Sequence, residues 1–451
     1  MVGVIISLLV TIMVVVILLK KMKAQFVLFF GGLTLLVCSI AMDAFGLLPN
    51  GAQILPKGVA STGFIGFDLF KCITSLMSSR TAGIGLLIMS AAGYSKYMSM
   101  IGASAIMADY LCRPLRIFRS PYFVLSLAYI IGAIADLFIP SASGLAMLLM
   151  VTIYRLSAAA VIATVSCLDM GPTSGAANYA AQVAGMDTMT YFVEYQIPVG
   201  IVVTIAVAAL HFFTQRYFDA KDGDKVDEAT AKQEKIDVKG APAWYGLLPM
   251  IPLVLLIVFN RFVIDTVKLD VPTAMFISFT VALCCELARK AVKDVLNTGF
   301  EFFHMMGRQF ATVITLIVAG ELFAKGLIAT GTIDYLIAGT QNLGLPAYAI
   351  MIVVVSFISI SCVVMGSGNA PFFAFAPLVP DFAQQFGVST ILLLMPMQLS
   401  TGLARVMSPI TAVVVAVAGC SGISPFALVR RTAIPMTGGL IVMVVMTIIL
   451  N

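Results

Sequence analysis

Stretches of about 20 apolar residues recur along the whole chain, and this pattern limits its possible folds more than any other feature. A helix of that length crosses the roughly 30 Å hydrocarbon core of a bilayer. Of the 451 residues, 60% are hydrophobic and 11% are charged, whereas soluble domains are about 25% charged. The long apolar runs therefore predict an all-α, polytopic membrane protein with the lipid bilayer as its solvent.

The hydropathy pattern predicts ten full spans and two interrupted ones. The full spans cover residues 2–19, 26–48, 82–100, 157–184, 195–215, 244–263, 271–288, 310–329, 389–419 and 425–449. The apolar stretches 121–154 and 346–380 are interrupted by Pro140-Ser-Ala-Ser-Gly144 and Gly366-Ser-Gly-Asn-Ala-Pro371. Irregular backbone inside an apolar stretch must be enclosed by protein or line a wet cavity, so both are predicted to be re-entrant hairpins.

The distribution of Lys and Arg predicts the orientation, because short cytoplasmic loops hold most of these residues in membrane proteins. With both termini periplasmic in a bacterial inner membrane, the cytoplasmic loops contain Lys20, Lys21, Lys23, Arg113, Arg116, Arg119, Arg155, Arg216, Arg289, Lys290, Lys293, Arg430 and Arg431. The polar stretch 216–243 is then a solvated cytoplasmic linker. The net charge of +5 is spread over these loops and does not form a nucleic-acid-binding patch.

The linker separates two halves that share landmarks in the same order. Gly66-Phe-Asp-Leu-Phe70 matches Gly299-Phe-Glu-Phe-Phe303, and the hairpin prolines Pro140 and Pro371 are 231 residues apart. Each half contains five spans and one hairpin, and an odd number of spans makes the second copy enter from the opposite face. We predict two inverted repeats, 1–215 and 244–451, with scaffold helices in 1–120 and 244–345 and a hairpin with a broken helix in 121–215 and 346–451.

An amphipathic segment precedes a span in each half, at Gly66 to Ser79 and at Thr298 to Gln309. Such segments are typical of helices that lie in the membrane interface. In an elevator-type carrier they would brace the moving part against a fixed scaffold. Simple anchoring at the membrane surface is the alternative.

Four breaks in the apolar pattern predict where a solute binds. They are the two hairpin tips, Met170-Gly-Pro-Thr-Ser-Gly175 and Met407-Ser-Pro-Ile-Thr411. Proline interrupts a helix, and the free amide groups of helix N-termini attract anions. Exposed carbonyl groups can instead coordinate a sodium ion. The candidate substrate-binding residues are Ser141, Ala142, Ser143, Gly144, Pro172, Thr173, Ser174, Ser367, Gly368, Asn369, Ala370, Arg405, Ser408, Pro409 and Thr411.

Arg405 is the strongest single candidate, because an arginine near the centre of a span costs about 2.5 to 3.5 kcal/mol and usually has a function. Its guanidinium can bind a substrate carboxylate through two hydrogen bonds. The alternative is a structural ion pair with Asp169. Asp169 can titrate during transport, coordinate a cation or neutralise Arg405, and the residues alone leave these roles open. The coupling-ion candidates are Asp169, Ser143 and Asn369, with sodium or a proton as the ion.

Two other charged features have weaker functional signals. Glu321 and Lys325 are four residues apart on one predicted helix, which is the spacing of a structural ion pair. Asp136 leads into the first hairpin, and its role stays open.

Catalytic chemistry has little support in the sequence. His211 and His304 are the only histidines and lie away from the breaks, which disfavours a metal site or an intramembrane enzyme with a base beside a nucleophile. The eight Cys lack zinc-site spacing. The glycine-rich tip at Gly366 lacks the Lys that a phosphate-binding loop requires. We expect no enzyme activity, cofactor or metal. An anion channel is a further alternative, although the chain offers one central pocket and no repeated charged rings.

Several motifs stand out around the breaks: Gly366-Ser-Gly-Asn-Ala-Pro-Phe-Phe-Ala-Phe375, Ala404 to Pro409, Ala416-Val-Ala-Gly419, Ile423-Ser-Pro-Phe426 and Pro172-Thr-Ser-Gly175. They resemble the anaerobic four-carbon dicarboxylate carrier family, DcuC, and the resemblance covers essentially the whole chain. It implies an elevator-type homodimer that carries succinate, fumarate or malate by exchange or by ion-coupled uptake or efflux. It also implies that Arg405 contacts the substrate. Related carriers handle amino acids or other organic acids, which are the alternative substrates.

Overall fold

A computed structural model describes residues 2–20, 22–48, 51–56, 58–113, 115, 118, 120–138, 156–222, 240–259, 263–264, 266–267, 269–332, 335 and 346–450. Within these ranges all regular structure is helical. The predicted tip Ser141, Ala142, Ser143 and Gly144 and most of the predicted linker lie outside the described residues. The all-α expectation is therefore confirmed for the described residues.

The longer α-helices are numbered here in chain order. They are α1 Val2–Leu19, α2 Ala24–Ala44, α3 Ile65–Arg80, α4 Leu86–Met100, α5 Ala103–Cys112, α6 Pro121–Asp136, α7 Leu156–Thr164, α8 Gly175–Val183, α9 Ile197–Asp222, α10 Ile251–Val258, α11 Val271–Leu287, α12 Val292–Gln309, α13 Thr315–Ala329, α14 Ala347–Met365, α15 Asn369–Phe375, α16 Val379–Phe386, α17 Thr390–Arg405, α18 Ala412–Ser421 and α19 Pro425–Leu450. Wider π-helical turns occur at Thr81–Gly85, Tyr191–Gln196 and Phe310–Ile314.

Six helical segments in the described ranges are long and apolar enough to cross a membrane. Two of them, Ile65–Met100 and Val292–Ala329, contain the predicted interfacial segments. Each segment continues into the following span through a π-turn, at Thr81–Gly85 or at Phe310–Ile314. The amphipathic segment and the span are thus one long helix in each case, which the hydropathy pattern did not indicate.

The chain forms two compact units, and each draws on both halves of the sequence. The first unit contains Met1–Leu86 and Arg308–Met397, and the second contains Leu87–Gly307 and Gln398–Asn451. The chain passes from one unit to the other inside helices. This division differs from the sequence repeats, and the assignment of inverted repeats stays a prediction.

Close contact between α2 and α13 organises the first unit. A Cβ atom on Gly32 would lie 2.6 Å from backbone atoms of Leu322 and Phe323, and one on Gly326 would lie 2.6 Å from Cβ of Leu35. Small residues of this kind let membrane helices approach closely. The same unit contains an ion pair in which Arg80 Nε lies 2.7 Å from Oε1 and 2.8 Å from Oε2 of Glu321. Arg80 is a partner for Glu321 that the sequence spacing did not indicate.

In the second unit, α9 and α19 pack together, and their ends hold a buried charge cluster. Arg431 is 1% exposed and pairs with Asp219, while its Nη2 lies 2.9 Å from Asp222 Oδ2. Ser157 of α7 donates to Asp219 and accepts from Arg431 Nη1. Because α7 ends at the first helix break, this cluster fixes one side of the region described next.

Candidate functional site

The first break lies in the second unit, between the end of α7 at Thr164 and the start of α8 at Gly175. Asp169 has φ of 49° and is the one non-glycine residue with positive φ in the described ranges. Gly171 follows with φ of 95°. Asp tolerates the left-handed region better than most residues, so the sequence allows a tight change of direction here. The turn brings the carboxylate and the carbonyl group of Asp169 to the second break.

The second break, between α17 and α18, lies in the same unit and begins at Arg405. The amide of Ser408 donates to the Arg405 carbonyl at 3.1 Å, and the Thr411 hydroxyl donates to that carbonyl as well. Pro409 has no amide hydrogen, so the helix cannot continue regularly through this point. Thr411 caps α18 by position but not through its side chain. Both predicted breaks are therefore present, at the predicted residues.

Arg405 lies between the two breaks and is incompletely paired. Its Nη1 is 3.5 Å from Asp169 Oδ2, and its Nη2 donates to the Ser166 carbonyl at 2.8 Å. Its Nε has no hydrogen-bond partner among the described residues. Charge-assisted hydrogen bonds are usually about 2.7 to 2.9 Å long. The contact with Asp169 is thus long, and the guanidinium retains donor capacity.

One face of α17 docks against the first break at three successive levels. Gln398 Nε2 donates to the Asp169 carbonyl at 3.0 Å, and Arg405 donates to the Ser166 carbonyl. Between them, Gly402 lies against the Cys167 carbonyl so closely that any Cβ atom would overlap it. Residues 398, 402 and 405 share a helix face because they are about one turn apart. The two breaks therefore form one continuous surface.

The predicted residues of the first break are largely engaged with the protein itself. Thr173 donates to the Leu137 carbonyl at 3.0 Å, and the Ser174 hydroxyl accepts from the Ala177 amide at 3.3 Å. Asn178 Nδ2 donates to the carbonyls of Pro172 and Ser174 at 2.8 and 2.6 Å. Ser408 differs, because its hydroxyl is fully buried and has no partner in the described ranges.

Two acids lie near Arg405. Asp169 contacts it directly, and Asp136, which ends α6, interacts electrostatically with both Asp169 and Arg405. Ionised Asp169 and Arg405 together carry no net formal charge. A dianion that binds to this region would need extra positive charge or a proton there.

The predicted residues of the second hairpin tip, Ser367, Gly368, Asn369 and Ala370, belong to the first unit. Gly366 has φ of 67° and ends α14, and α15 begins at Asn369. Ser367 and Asn369 are half-buried, while Gly368 and Ala370 are buried. The predicted sharp turn is thus present within that unit.

One expectation about histidine requires correction. His211 Nε2 lies 2.9 Å from the hydroxyl of Thr164, the last residue of α7, so this ring is close to the first break. Its Nδ1 lies 3.3 Å from Gln215 Nε2, and the side chain is fully buried. The sequence separation of 47 residues concealed this contact. Both ring nitrogens have protein partners, which is typical of a structural histidine.

The sequence analysis missed two glutamines that support the first break. Gln196 and Gln398 are both fully buried, and they hydrogen-bond to each other. Polar residues inside predicted spans are a recognised functional signal, and both glutamines lie in predicted spans that flank a break.

In the described residues, no group of three or more His, Cys, Asp or Glu is arranged to hold a metal ion.

The fold is that of known membrane transporters. The Alcanivorax borkumensis YdaH transporter superimposes with a TM-score of 0.66 at 15% identity, covering 94% of this chain and 98% of that one. Neisseria gonorrhoeae MtrF, described as one of a class of antimetabolite efflux pumps, gives 0.61 at 12% identity and 95% coverage of both chains. At such low identity these likenesses establish the fold alone. The six long apolar helices and the transporter relatives define a multi-pass protein of the inner membrane.

Sequence comparison then identifies the family. The family described as DcuC, C4-dicarboxylate anaerobic carrier, matches residues 2–451. The anaerobic C4-dicarboxylate transporter DcuC of Escherichia coli K12 is 34% identical over 442 residues, covering 95% of this chain and 92% of the relative. A probable anaerobic C4-dicarboxylate transporter DcuC of Vibrio cholerae is 32% identical over 461 residues, covering 100% and 98%. The chain belongs to the DcuC family of anaerobic C4-dicarboxylate carriers, and the expectation of a non-enzymatic transporter is confirmed.

Proposed function

We propose that this protein carries small dicarboxylates of the succinate, fumarate or malate type, and that Arg405 binds one substrate carboxylate. The observation that carries the proposal is the incomplete pairing of Arg405. Its contact with Asp169 is 3.5 Å long, and its Nε has no partner in the described ranges. A guanidinium held near the middle of a membrane protein with unused donors is suited to a planar carboxylate.

The start of α18 supplies further donors for the same anion. Its first amide groups are not capped by the Thr411 side chain, and the unpartnered hydroxyl of Ser408 lies one turn away in sequence. Helix N-termini bind anions through such amides and through the helix dipole. Arg405, Ser408 and the start of α18 thus support a carboxylate site within the second unit. The roles of Ser141 to Gly144 and of Ser367 to Ala370 stay sequence predictions.

Coupling to a cation follows from the local charges. Asp169 already balances the single charge of Arg405, so a bound dianion would leave net negative charge in the site unless a sodium ion or a proton accompanied it or another dianion replaced it. Asp169 is the candidate for this role, since it is half-buried and loosely held by Arg405. We further propose alternating access of the elevator type, a homodimer, periplasmic termini and a cytoplasmic linker.

The proposal is tested by counterflow of labelled succinate in proteoliposomes. Arg405→Gln should lower the initial rate about 100-fold or more, because two charge-assisted hydrogen bonds are lost. Arg430→Gln is the matched control, because Arg430 is a half-exposed arginine of the same unit that pairs with Asp222. It should transport normally. Size-exclusion chromatography verifies that both variants are folded.

The same vesicles separate the alternatives. A panel of dicarboxylates, monocarboxylates and amino acids measures specificity, and separately imposed sodium and proton gradients identify the coupling ion. Normal counterflow by Arg405→Gln would show that Arg405 does not bind the substrate. Competition by amino acids alone would assign the alternative substrate class. A conductance that rises linearly with voltage and does not saturate would indicate a channel.

A further inference from the structure

We infer that Gln196 and Gln398 form a buried amide clamp that positions Asp169 and Arg405 for substrate, so that this pair sets substrate affinity without touching the substrate. The inference rests on the proposed function and extends it to two residues outside the binding surface. Both side chains are fully buried in the second unit. They are 202 residues apart in sequence and approach the break between α7 and α8 from two different helices.

The clamp is a continuous chain of three hydrogen bonds. The Gly171 amide donates to Gln196 Oε1 at 3.1 Å, Gln196 Nε2 donates to Gln398 Oε1 at 2.8 Å, and Gln398 Nε2 donates to the Asp169 carbonyl at 3.0 Å. The chain begins and ends on backbone groups two residues apart. It therefore closes a loop around the left-handed turn at Asp169.

The backbone groups at the two ends determine the orientation of both amides. The Gly171 amide can only donate, so it must meet the oxygen of Gln196, and the Asp169 carbonyl can only accept, so it must meet the nitrogen of Gln398. Each glutamine then has one orientation that satisfies all partners. Flipping either amide would place two oxygens or two NH₂ groups against each other. A buried amide chain of this kind is rigid, because its bonds strengthen at low local dielectric and its failure leaves unpaired groups.

The clamp acts on the residues that the proposed site uses. Asp169 has φ of 49°, a conformation that non-glycine residues adopt at a cost, so the surrounding structure must hold it. Gln398 holds its carbonyl, and Arg405, two turns further along α17, contacts its carboxylate. The same helix face thus fixes both the backbone and the side chain of Asp169. Loosening the clamp would change the distance between Asp169 and Arg405.

A third buried glutamine provides a matched control. Gln215 is also fully buried in the second unit, where its Nε2 bonds to the Arg431 carbonyl and approaches His211. In the described ranges its side chain hydrogen-bonds to no residue of the two breaks. Substituting it removes a buried amide of the same size, so it reports the general cost of such a change.

The experiment is a double-mutant cycle on the full-length protein in proteoliposomes. We expect Gln196→Leu and Gln398→Leu each to raise the KM for succinate counterflow about tenfold, because each leaves a partner amide unpaired next to the site. The double variant should be no worse than either single variant, since it leaves two groups without their partners, the Gly171 amide and the Asp169 carbonyl, and each single variant also leaves two. Gln215→Leu should leave KM within about twofold of the parent. Thermal unfolding in detergent, with and without succinate, measures binding independently of transport.

The outcomes separate this inference from the proposed function. Additive KM effects, unchanged KM in both single variants, or an equal rise in Gln215→Leu would each overturn the clamp. Any of these results leaves the Arg405 test intact, because Arg405→Gln is measured in the parent background. If a single variant is too unstable to reconstitute, the succinate-dependent thermal shift of the solubilised protein decides by the same criteria.

Discussion

Each unit contains an arginine–acid pair within a long apolar segment, and the two pairs are built differently. In the first unit, Arg80 Nε lies within 2.8 Å of both carboxylate oxygens of Glu321, which is 5% exposed. In the second unit, Arg405 lies 3.5 Å from Asp169, and its Nε has no partner in the described ranges. The first geometry is that of a pair that stabilises the fold. The second leaves donor capacity for a ligand, and this difference identifies which arginine to assign to the substrate.

The largest expected effect comes from replacing each arginine by glutamine in a separate variant. Arg80→Gln should lower the free energy of unfolding by about 1 to 3 kcal/mol, because the buried Glu321 loses its close charged contact with Arg80. It should keep the parent KM for succinate once folded. Arg405→Gln should show the reverse pattern, with little loss of stability and loss of counterflow. Thermal unfolding and transport are measured on the same preparations. If Arg80→Gln raised KM as strongly as Arg405→Gln, the two pairs would not differ in function.

The close approach of Gly402 to Cys167 offers a second, smaller test of the loosely paired region. Gly402→Ala should reduce counterflow about tenfold or more, because its Cβ overlaps the Cys167 carbonyl and separates α17 from the first break. Gly419→Ala is the control, since a Cβ there meets nothing within 4 Å on helix α18. It should be neutral or slightly stabilising. Equal behaviour of the two variants would show that the docking of α17 is not required.

The smallest expected effect distinguishes the charge of Asp169 from its backbone. Asn tolerates the left-handed region as well as Asp does, so Asp169→Asn loses only the charge. Its free energy of unfolding should lie within about 1 kcal/mol of the parent's. Exchange should persist, while uptake driven by an imposed sodium or proton gradient should fall. Asp169→Ala should in addition be less stable, because Ala adopts this conformation poorly. Unchanged gradient-driven uptake in Asp169→Asn would assign Asp169 to neutralising Arg405 and not to coupling.

The sequence predicted the features that are local. Continuous apolar runs predicted spans at 2–19 and 425–449, where the structure has α1 Val2–Leu19 and α19 Pro425–Leu450. The proline-containing motifs predicted both helix breaks, because spans and breaks depend on neighbouring residues. The intramembrane Arg405 stood out for the same reason.

The partners of these residues could not be predicted from one sequence. Helix spacing suggested Lys325 as a partner of Glu321 but gave no sign of Arg80, which is 241 residues away in sequence. Gln196 hydrogen-bonds to Gln398, which is 202 residues away in sequence. His211 of α9 contacts Thr164 at the first break. Such contacts depend on how helices pack, and a short sequence pattern does not encode that packing.

The π-turn at Tyr191–Gln196 determines which way Gln196 faces about the helix axis. A π-turn accommodates one residue more than a regular α-turn. If the same six residues formed regular α-turns, the two flanking segments would be rotated relative to each other by about 100°. Gln196 would then no longer face Gly171, although no side chain of the clamp had been replaced. The clamp therefore depends on the wide geometry of this turn as well as on the two amide side chains.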